Sequence, residues 1–324
     1  MAWNTVLIAL GLTLPAWFAY TRLSAKPRRA NHVLLAQERV LILGASSGIG
    51  RAIAHKYAAR GARVCILGRR REQLETVLQE CEDLIAQSPH VTEGGRTLSI
   101  VADCTSPEDM VRLRMTLEQK WKGLDTLIVS AGVSALRPLL EIAGVQQACN
   151  TGQTTLEGAQ RTVDVALAAV QGNYIAPLLS AVTLIPFMRD HSASPSILLI
   201  SSLAAAIPAP TRTLYASTKA ASLVLFQALS IEHPEIAFSY ILPSTVQGDF
   251  RASAVDGGPV REANPNAHGL KTEAVAARCV QAVDAGEKVV FFPAYYRWGQ
   301  ILYWFLPAFV ERKAIKKYQF TVPT

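Results

Sequence analysis

No two cysteines in this sequence stand at Cys-x-x-Cys spacing, and the six histidines are dispersed, with no pair at metal-ligand separation. The five cysteines, at positions 65, 81, 104, 149 and 279, form an odd, scattered set. That pattern excludes a disulfide framework and a zinc site, implies no metal, and reads as reduced core thiols in a reducing compartment. Internal repeats and low-complexity linkers are missing as well, so the 324 residues are read as one large α/β domain with flanking segments. Charge is also scarce, at 18% of residues against 50% hydrophobic. So apolar a composition excludes disorder and leaves part of the chain to meet something other than water.

The net charge of +7 is unevenly placed. Arg22, Lys26, Arg28 and Arg29 follow one apolar segment, and Arg312, Lys313, Lys316 and Lys317 follow another. Cations beside apolar stretches fit membrane lipids with anionic head groups as partners, and argue against nucleic acid.

Met1 to Thr21 contains no charged side chain. About 20 residues at ~1.5 Å rise cover the ~30 Å hydrocarbon core, and Trp3, Trp17 and Tyr20 sit near the ends, where aromatics favour the interface. Basic residues follow only on the C-terminal side, so residues 1–21 are expected to be a transmembrane anchor, with everything after them cytosolic. A cleaved signal peptide is the rival, but neither a basic start nor a small-residue cleavage site is evident. Residues 22–38 are then a basic tether, 39–292 the catalytic domain and 293–324 an aromatic, basic, membrane-associated segment. Pro293, Arg297 and Pro307 break the stretch from Phe291 to Val310, which disfavours a second spanning helix. A monotopic element and a helix that caps the core remain open readings.

Between the ends, short apolar runs alternate with helical stretches. Arg39–Leu43, Arg63–Leu67, Leu98–Ala102, Thr126–Ser130, Ser196–Ile200, Ala237–Leu242 and Lys288–Phe292 read as strands buried on both faces. Helices are expected over Gly50–Arg60, Arg71–Ile85, Pro107–Trp121, Leu156–Leu184, Leu214–Glu232 and Thr272–Ala285. The alternation predicts an α/β fold with a Rossmann-type doubly wound parallel sheet of about seven strands. Ser134 to Leu156 lacks a clear period and reads either as an extended loop or as a poorly patterned helix start.

Directly after the first strand comes Gly44-Ala45-Ser46-Ser47-Gly48-Ile49-Gly50, then a helix. Such a turn lets backbone approach a pyrophosphate, whose charge the helix N-terminus stabilises. The second strand ends in Gly68-Arg69-Arg70-Arg71, with no acid at its tip. A carboxylate there would hold the ribose 2′-hydroxyl of NAD, whereas a cation suits a 2′-phosphate. The cofactor expected is therefore NADP(H), with Arg69 as the first candidate cation.

Tyr215 and Lys219 form Tyr-x-x-x-Lys early in a helical segment. That separation puts both on one face, where the ammonium favours the tyrosinate and equips the tyrosine for proton transfer. Ser202, at the end of the fifth strand, offers a hydroxyl to a reacting oxygen.

Taken together in their order and spacing, these motifs resemble the short-chain dehydrogenase/reductase family over roughly Arg39 to Phe292. The resemblance adds Asp103 after the third strand and Asn173 in the long helix. It implies Tyr215 as general acid/base, Ser202 as orienter of the substrate oxygen, and Lys219 as binder of the nicotinamide ribose. Asn173 would support a water relay to Lys219, and Asp103 would contact the adenine. Two stretches depart from the family pattern. Ser130-Ala131-Gly132 stands where the family has Asn-Ala-Gly. Pro243-Ser244-Thr245-Val246 lacks the usual Pro-Gly, leaving Pro243, Thr245 and Val246 to meet the nicotinamide.

The function expected is an NADP(H)-dependent oxidoreductase acting on the carbonyl or alcohol of a lipophilic small molecule. Steroid, retinoid and fatty-ketone substrates all fit a membrane-anchored enzyme of the endoplasmic reticulum or lipid droplet, with a homodimer as a further partner state. The nearest resemblance is to membrane-anchored hydroxysteroid dehydrogenase-like members, then to 3-ketosphinganine reductases. A catalytically weak NADP-binding membrane scaffold is the alternative of another class. The Gly248 to Leu270 segment, rich in Gly, Ala, Asn and Pro, is expected to be a lid.

Overall fold

The computed structural model describes residues 33–88, 97–145, 152–262 and 264–320. The expected anchor at 1–21, most of the tether and Cys149 lie outside the described residues.

The strands are β1 (Arg39–Leu43), β2 (Arg63–Gly68), β3 (Thr97–Val101), β4 (Thr126–Val129), β5 (Ser196–Ile200), β6 (Ala237–Pro243) and β7 (Val289–Phe292). They form one parallel sheet in the order β3-β2-β1-β4-β5-β6-β7. The helices are α1 (Gly48–Ala59), α2 (Arg71–Ala86), α3 (Pro107–Trp121), α4 (Leu139–Ile142), α5 (Leu156–Val170), α6 (Ala176–His191), α7 (Thr213–Glu232), α8 (Pro265–His268), α9 (Thr272–Ala285), α10 (Tyr296–Phe305) and α11 (Pro307–Lys317).

The strand alternation divides the core in two. Leu41, Leu43, Leu127 and Val129 face Met110 and Leu113 of α3, Leu184 of α6 and Phe226 of α7. Val40 and Ile42 point the other way, onto Ile53 and Tyr57 of α1, Leu74 of α2 and Val275 of α9. Both faces are covered, which is why the strands read as continuous apolar runs.

The stretch between Ser134 and Leu156 contains the short helix α4, and Thr155 opens α5 by accepting a hydrogen bond from the Gly158 N–H at 3.1 Å. The long helix expected over Leu156–Leu184 runs on to His191 and contains a π turn at Gln171–Ile175. Pro177 has no N–H to give the Asn173 carbonyl, and the Ala176 N–H instead donates to Gln171, five residues back. The widened turn carries Asn173, which is fully buried.

Helices α10 and α11 follow β7 and have two faces. Gly299 packs closely on Ile207 and Tyr296 lies against the core, while Trp298, Trp304 and Phe305 are 70%, 80% and 78% exposed. The segment therefore caps the domain on one side and presents an apolar surface on the other. Two helical runs, Leu156–His191 and Thr213–Glu232, are long and apolar enough to span a membrane. This is weak support for membrane association, because both pack on the sheet and carry residues of the site.

Candidate active site

The strand order reverses between β1 and β4, and a cleft opens at the carboxyl ends of the strands there. Its volume of 1680 Å³ exceeds the ~300–1,000 Å³ of an ordinary small-molecule site and has room for a dinucleotide and a second ligand together.

The glycine-rich turn forms one wall. Gly44 holds φ 79, and a Cβ there would stand 2.7 Å from the Ala131 nitrogen. A Cβ on Gly50 would run into the Gly44 carbonyl. Only glycine permits this approach, which leaves Ser46, Ser47, Gly48 and Ile49 lining the cleft with the start of α1 beneath them. Backbone N–H groups at a helix start suit a pyrophosphate.

At the tip of β2 the structure adds a residue that the sequence reading passed over. Arg70, not Arg69, turns to the glycine loop, with its Nη2 2.8 Å from Ser46 Oγ and 2.7 Å from Ser47 Oγ. Arg69 is mostly exposed and lies 3.9 Å from Asp103. Asp103 itself accepts hydrogen bonds from the Thr105 N–H and hydroxyl, both at 2.9 Å. The basic run made a cation at this tip legible, but not which arginine points inward.

Ser130 continues the sheet through its N–H to the Leu43 carbonyl at 3.0 Å, and Ala131 and Gly132 follow along the cleft. A Cβ on Gly132 would stand 2.9 Å from Asn173 Oδ1 and 3.0 Å from Lys219 Nζ. Asn173 clamps Val133, accepting from its N–H at 2.9 Å and donating to its carbonyl at 3.0 Å. Lys219 Nζ donates to the Ile200 carbonyl at 3.1 Å. Burial holds this ammonium below the ordinary lysine range, against the opposing pull of Tyr215.

Tyr215 and Lys219 occupy successive turns of α7, and both line the cleft with Ser202. Ser202 Oγ accepts from the Ala204 N–H at 3.2 Å, which occupies one lone pair and leaves its O–H to donate. Phe250 meets the Tyr215 ring edge-on at 6.1 Å.

Beyond β6, Pro243, Thr245 and Val246 also line the cleft. Thr245 Oγ1 donates to Glu262 at 2.6 Å, and Val246 bridges to Leu270. Glu262 further accepts from Arg251 at 2.8 Å and lies 3.5 Å from Lys317 of α11. Burial raises the Glu262 carboxyl, but Arg251, the Thr245 hydroxyl, Lys317 and, more weakly, Arg212 outweigh it and hold the group below its usual range. Lys317 thus turns its ammonium toward Glu262, while the residue as a whole stays exposed. The segment expected as a lid is tied down along its length too, where Asp256 accepts from the Leu136 and Arg137 N–H groups at 2.6 and 2.7 Å. Arg212, immediately before α7, also belongs to the site and went unread in the sequence. Its guanidinium lies 4.2 Å over the Tyr215 ring.

A family model described as short chain dehydrogenase matches residues 38–257. The chain belongs to the short chain dehydrogenase family. Within it, the chain stands near hydroxysteroid dehydrogenase-like proteins. It is 30% identical over 216 residues to 11-beta-hydroxysteroid dehydrogenase-like 3 of Arabidopsis thaliana, covering 66% of this chain and 61% of that relative. It is 25% identical over 284 residues to 11-beta-hydroxysteroid dehydrogenase A of Sesamum indicum, covering 84% of this chain and 73% of that one. Among solved structures, an SDR from Burkholderia phymatum in complex with NAD matches with a TM-score of 0.67 at 15% identity, covering 82% of this chain and 92% of that one. An alcohol dehydrogenase from Thermococcus sibiricus complexed with 5-hydroxy-NADP matches at 0.60 and 20%, covering 79% and 94%. These likenesses carry the fold, and the family places the chain among the oxidoreductases.

Proposed function

We propose that this short chain dehydrogenase is an NADP(H)-dependent, membrane-associated enzyme that reduces the carbonyl of a lipophilic substrate or oxidises the matching alcohol. One observation carries the reading: Ser202, Tyr215 and Lys219 open into the same cleft as the glycine-rich turn and Arg70. When bound, NADPH supplies the hydride. Tyr215 donates a proton to the carbonyl oxygen, and Ser202 hydrogen-bonds that same oxygen. Lys219 favours the tyrosinate that remains and binds the nicotinamide ribose, while Asn173 supports a water relay to it. Arg70, reinforced by Ser46 and Ser47, takes the 2′-phosphate, and Arg69 adds positive charge at the rim. Asp103 meets the adenine, and Pro243, Thr245 and Val246 meet the nicotinamide.

The substrate class rests on the apolar lining supplied by Ile207, Phe250, Leu302, Phe309 and Val310, and on relatives named as hydroxysteroid dehydrogenases. Steroid, retinoid and fatty ketones fit that wall. Reduction is the favoured direction in a cytosol whose NADP is mostly reduced. Residues 1–21 and the exposed face of α10 support an enzyme anchored to the endoplasmic reticulum or lipid droplet, with its catalytic domain cytosolic. Exposed Val163 and Leu167 on α5, Val182 on α6 and Val224 on α7 support a homodimer through that face.

The test is the purified full-length protein with NADPH or NADH and a panel of lipophilic ketones, followed by nicotinamide absorbance. Ketone-dependent oxidation of NADPH is expected. Failure to reduce any ketone, or a preference for NADH, would overturn the reading.

A further inference from the structure

Arg212 is unusual for a surface-type residue. It is only 6% exposed, yet among the described residues no carboxylate lies within ion-pair distance of it. Among the described residues its one side-chain hydrogen bond runs from Nη1 to Ser134 Oγ, at 3.1 Å, and Ser134 is itself fully buried. A guanidinium has five N–H donors, and a buried cation that no carboxylate touches leaves most of them unmet at a cost.

The backbone is strained to hold it there. Thr211, the residue before, adopts φ 64, a conformation that a β-branched side chain rarely takes. The guanidinium then lies over the face of Tyr215 and lines the cleft. Such an arrangement brings a positive charge close to where a substrate carbonyl must sit.

The rest of that wall is basic as well. Arg212, Arg251, Lys313 and Lys317 line the cleft beyond the glycine-rich turn, together with Glu262 and the exposed Asp249 and Glu273 as acids. Glu262 is held in contact by Arg251, Thr245 and Lys317, and it feels the charge of Arg212 only from beyond ion-pair distance. Four cations thus face three acids beside an apolar lining, and Arg212 is the buried one that no acid touches. A neutral steroid or retinoid would leave its remaining donors unmatched.

We propose that the substrate is an anionic lipophile, a carbonyl compound whose own acid group, carboxylate or phosphate, pairs with Arg212 while its hydrocarbon portion lies along Phe250, Leu302 and Phe309. The proposal rests on reading this cleft as the substrate site. Arg212 then selects for charge, and the apolar wall selects for length.

The experiment measures binding, so it does not depend on turnover. Full-length protein in a nonionic detergent, loaded with NADP⁺, is titrated with decanoate, decyl phosphate and decanol, as wild type, Arg212→Gln and Arg212→Lys. The wild type is expected to bind at least one anion about tenfold or more tightly than decanol, as for a charge-assisted hydrogen bond to a buried guanidinium. Arg212→Gln should erase that preference while leaving decanol within about twofold, and Arg212→Lys should keep part of it. The two anion arms tell carboxylate from phosphate. Wild type that binds decanol as tightly as both anions would overturn the proposal without any variant. An equal weakening of all three ligands by Arg212→Gln would also overturn it, leaving Arg212 a positioning residue for Tyr215. Anion preference without reduction of any ketone would sink the catalytic reading alone, and ketone reduction without anion preference would sink this one alone.

Discussion

Arg70 reaches back from the tip of β2 to the glycine-rich turn, its Nη2 2.8 Å from Ser46 Oγ and 2.7 Å from Ser47 Oγ. The three side chains make a fork of donors, to which the proposed cofactor reading assigns a ribose 2′-phosphate. Arg70→Ala should lower kcat/KM for NADPH by about 10- to 100-fold, the worth of charge-assisted hydrogen bonds, and leave NADH nearly unchanged. Arg69→Ala should do much less, since that side chain is exposed and its only ion-pair neighbour among the described residues is Asp103. Steady-state kinetics with both cofactors decide it. An unchanged NADPH/NADH ratio in Arg70→Ala would contradict the assignment.

Gly132 leaves room for two side chains of the site. An alanine methyl there would press on Asn173 Oδ1 and Lys219 Nζ. Gly132→Ala should therefore fold with nearly the wild-type melting temperature but lose about tenfold or more in kcat, as displaced catalytic groups typically do. Unchanged kcat would mean that the two side chains tolerate displacement.

The sheet was legible because strands covered on both faces leave near-continuous apolar runs, and all seven appeared within a residue or two of their observed ends. Tyr215, Lys219, Ser202 and the glycine turn were legible because their spacing survives in the linear chain. Two contributors were not. Arg70 lay in plain view in the basic run, but strand-end geometry, not spacing, decides which arginine faces the serines. Arg212 carried no local signal, because its meaning comes from Ser134 and from the turn set by Thr211. The π turn had a readable cue in Pro177, which the apolar periodicity of α5 and α6 masked.

Asp125 ties β1 to the end of α6. It accepts from Arg39 N, Nε and Nη2 at 3.0, 2.9 and 2.8 Å and from Ser192 Oγ at 2.6 Å. Burial raises its carboxyl, but these donors outweigh it and hold the group below its ordinary value of 3.8. A carboxylate depressed on folding stabilises fully above the unfolded value, and that stabilisation is lost as pH falls through the folded one. Asp125→Asn should thus cost up to roughly 3–5 kcal/mol at neutral pH, by the usual cost of breaking a buried pair. Denaturant titrations should show the gap to wild type narrowing below pH 3.8. A pH-independent gap would point to packing instead.

Helix α10 offers Trp298, Trp304 and Phe305 to the outside. With residues 1–21 deleted, the protein should still partition onto vesicles containing anionic lipid. Trp304→Ser with Phe305→Ser should reduce that partitioning about tenfold or more, given ~1.5–3 kcal/mol per large apolar side chain buried. Flotation assays that find the double variant bound as well as its parent would remove α10 from the membrane interface.

The central claim is that Tyr215 delivers the proton to a carbonyl in the NADP(H) cleft, and Tyr215→Phe tests it most directly because only a hydroxyl is removed. Single-turnover reduction of a lipophilic ketone by NADPH should fall by about 10²- to 10⁴-fold, the usual contribution of a general acid. NADPH affinity, measured by fluorescence on the same preparation, should stay within about twofold. Retention of more than about a tenth of the wild-type rate, with the cofactor still bound, would contradict the account.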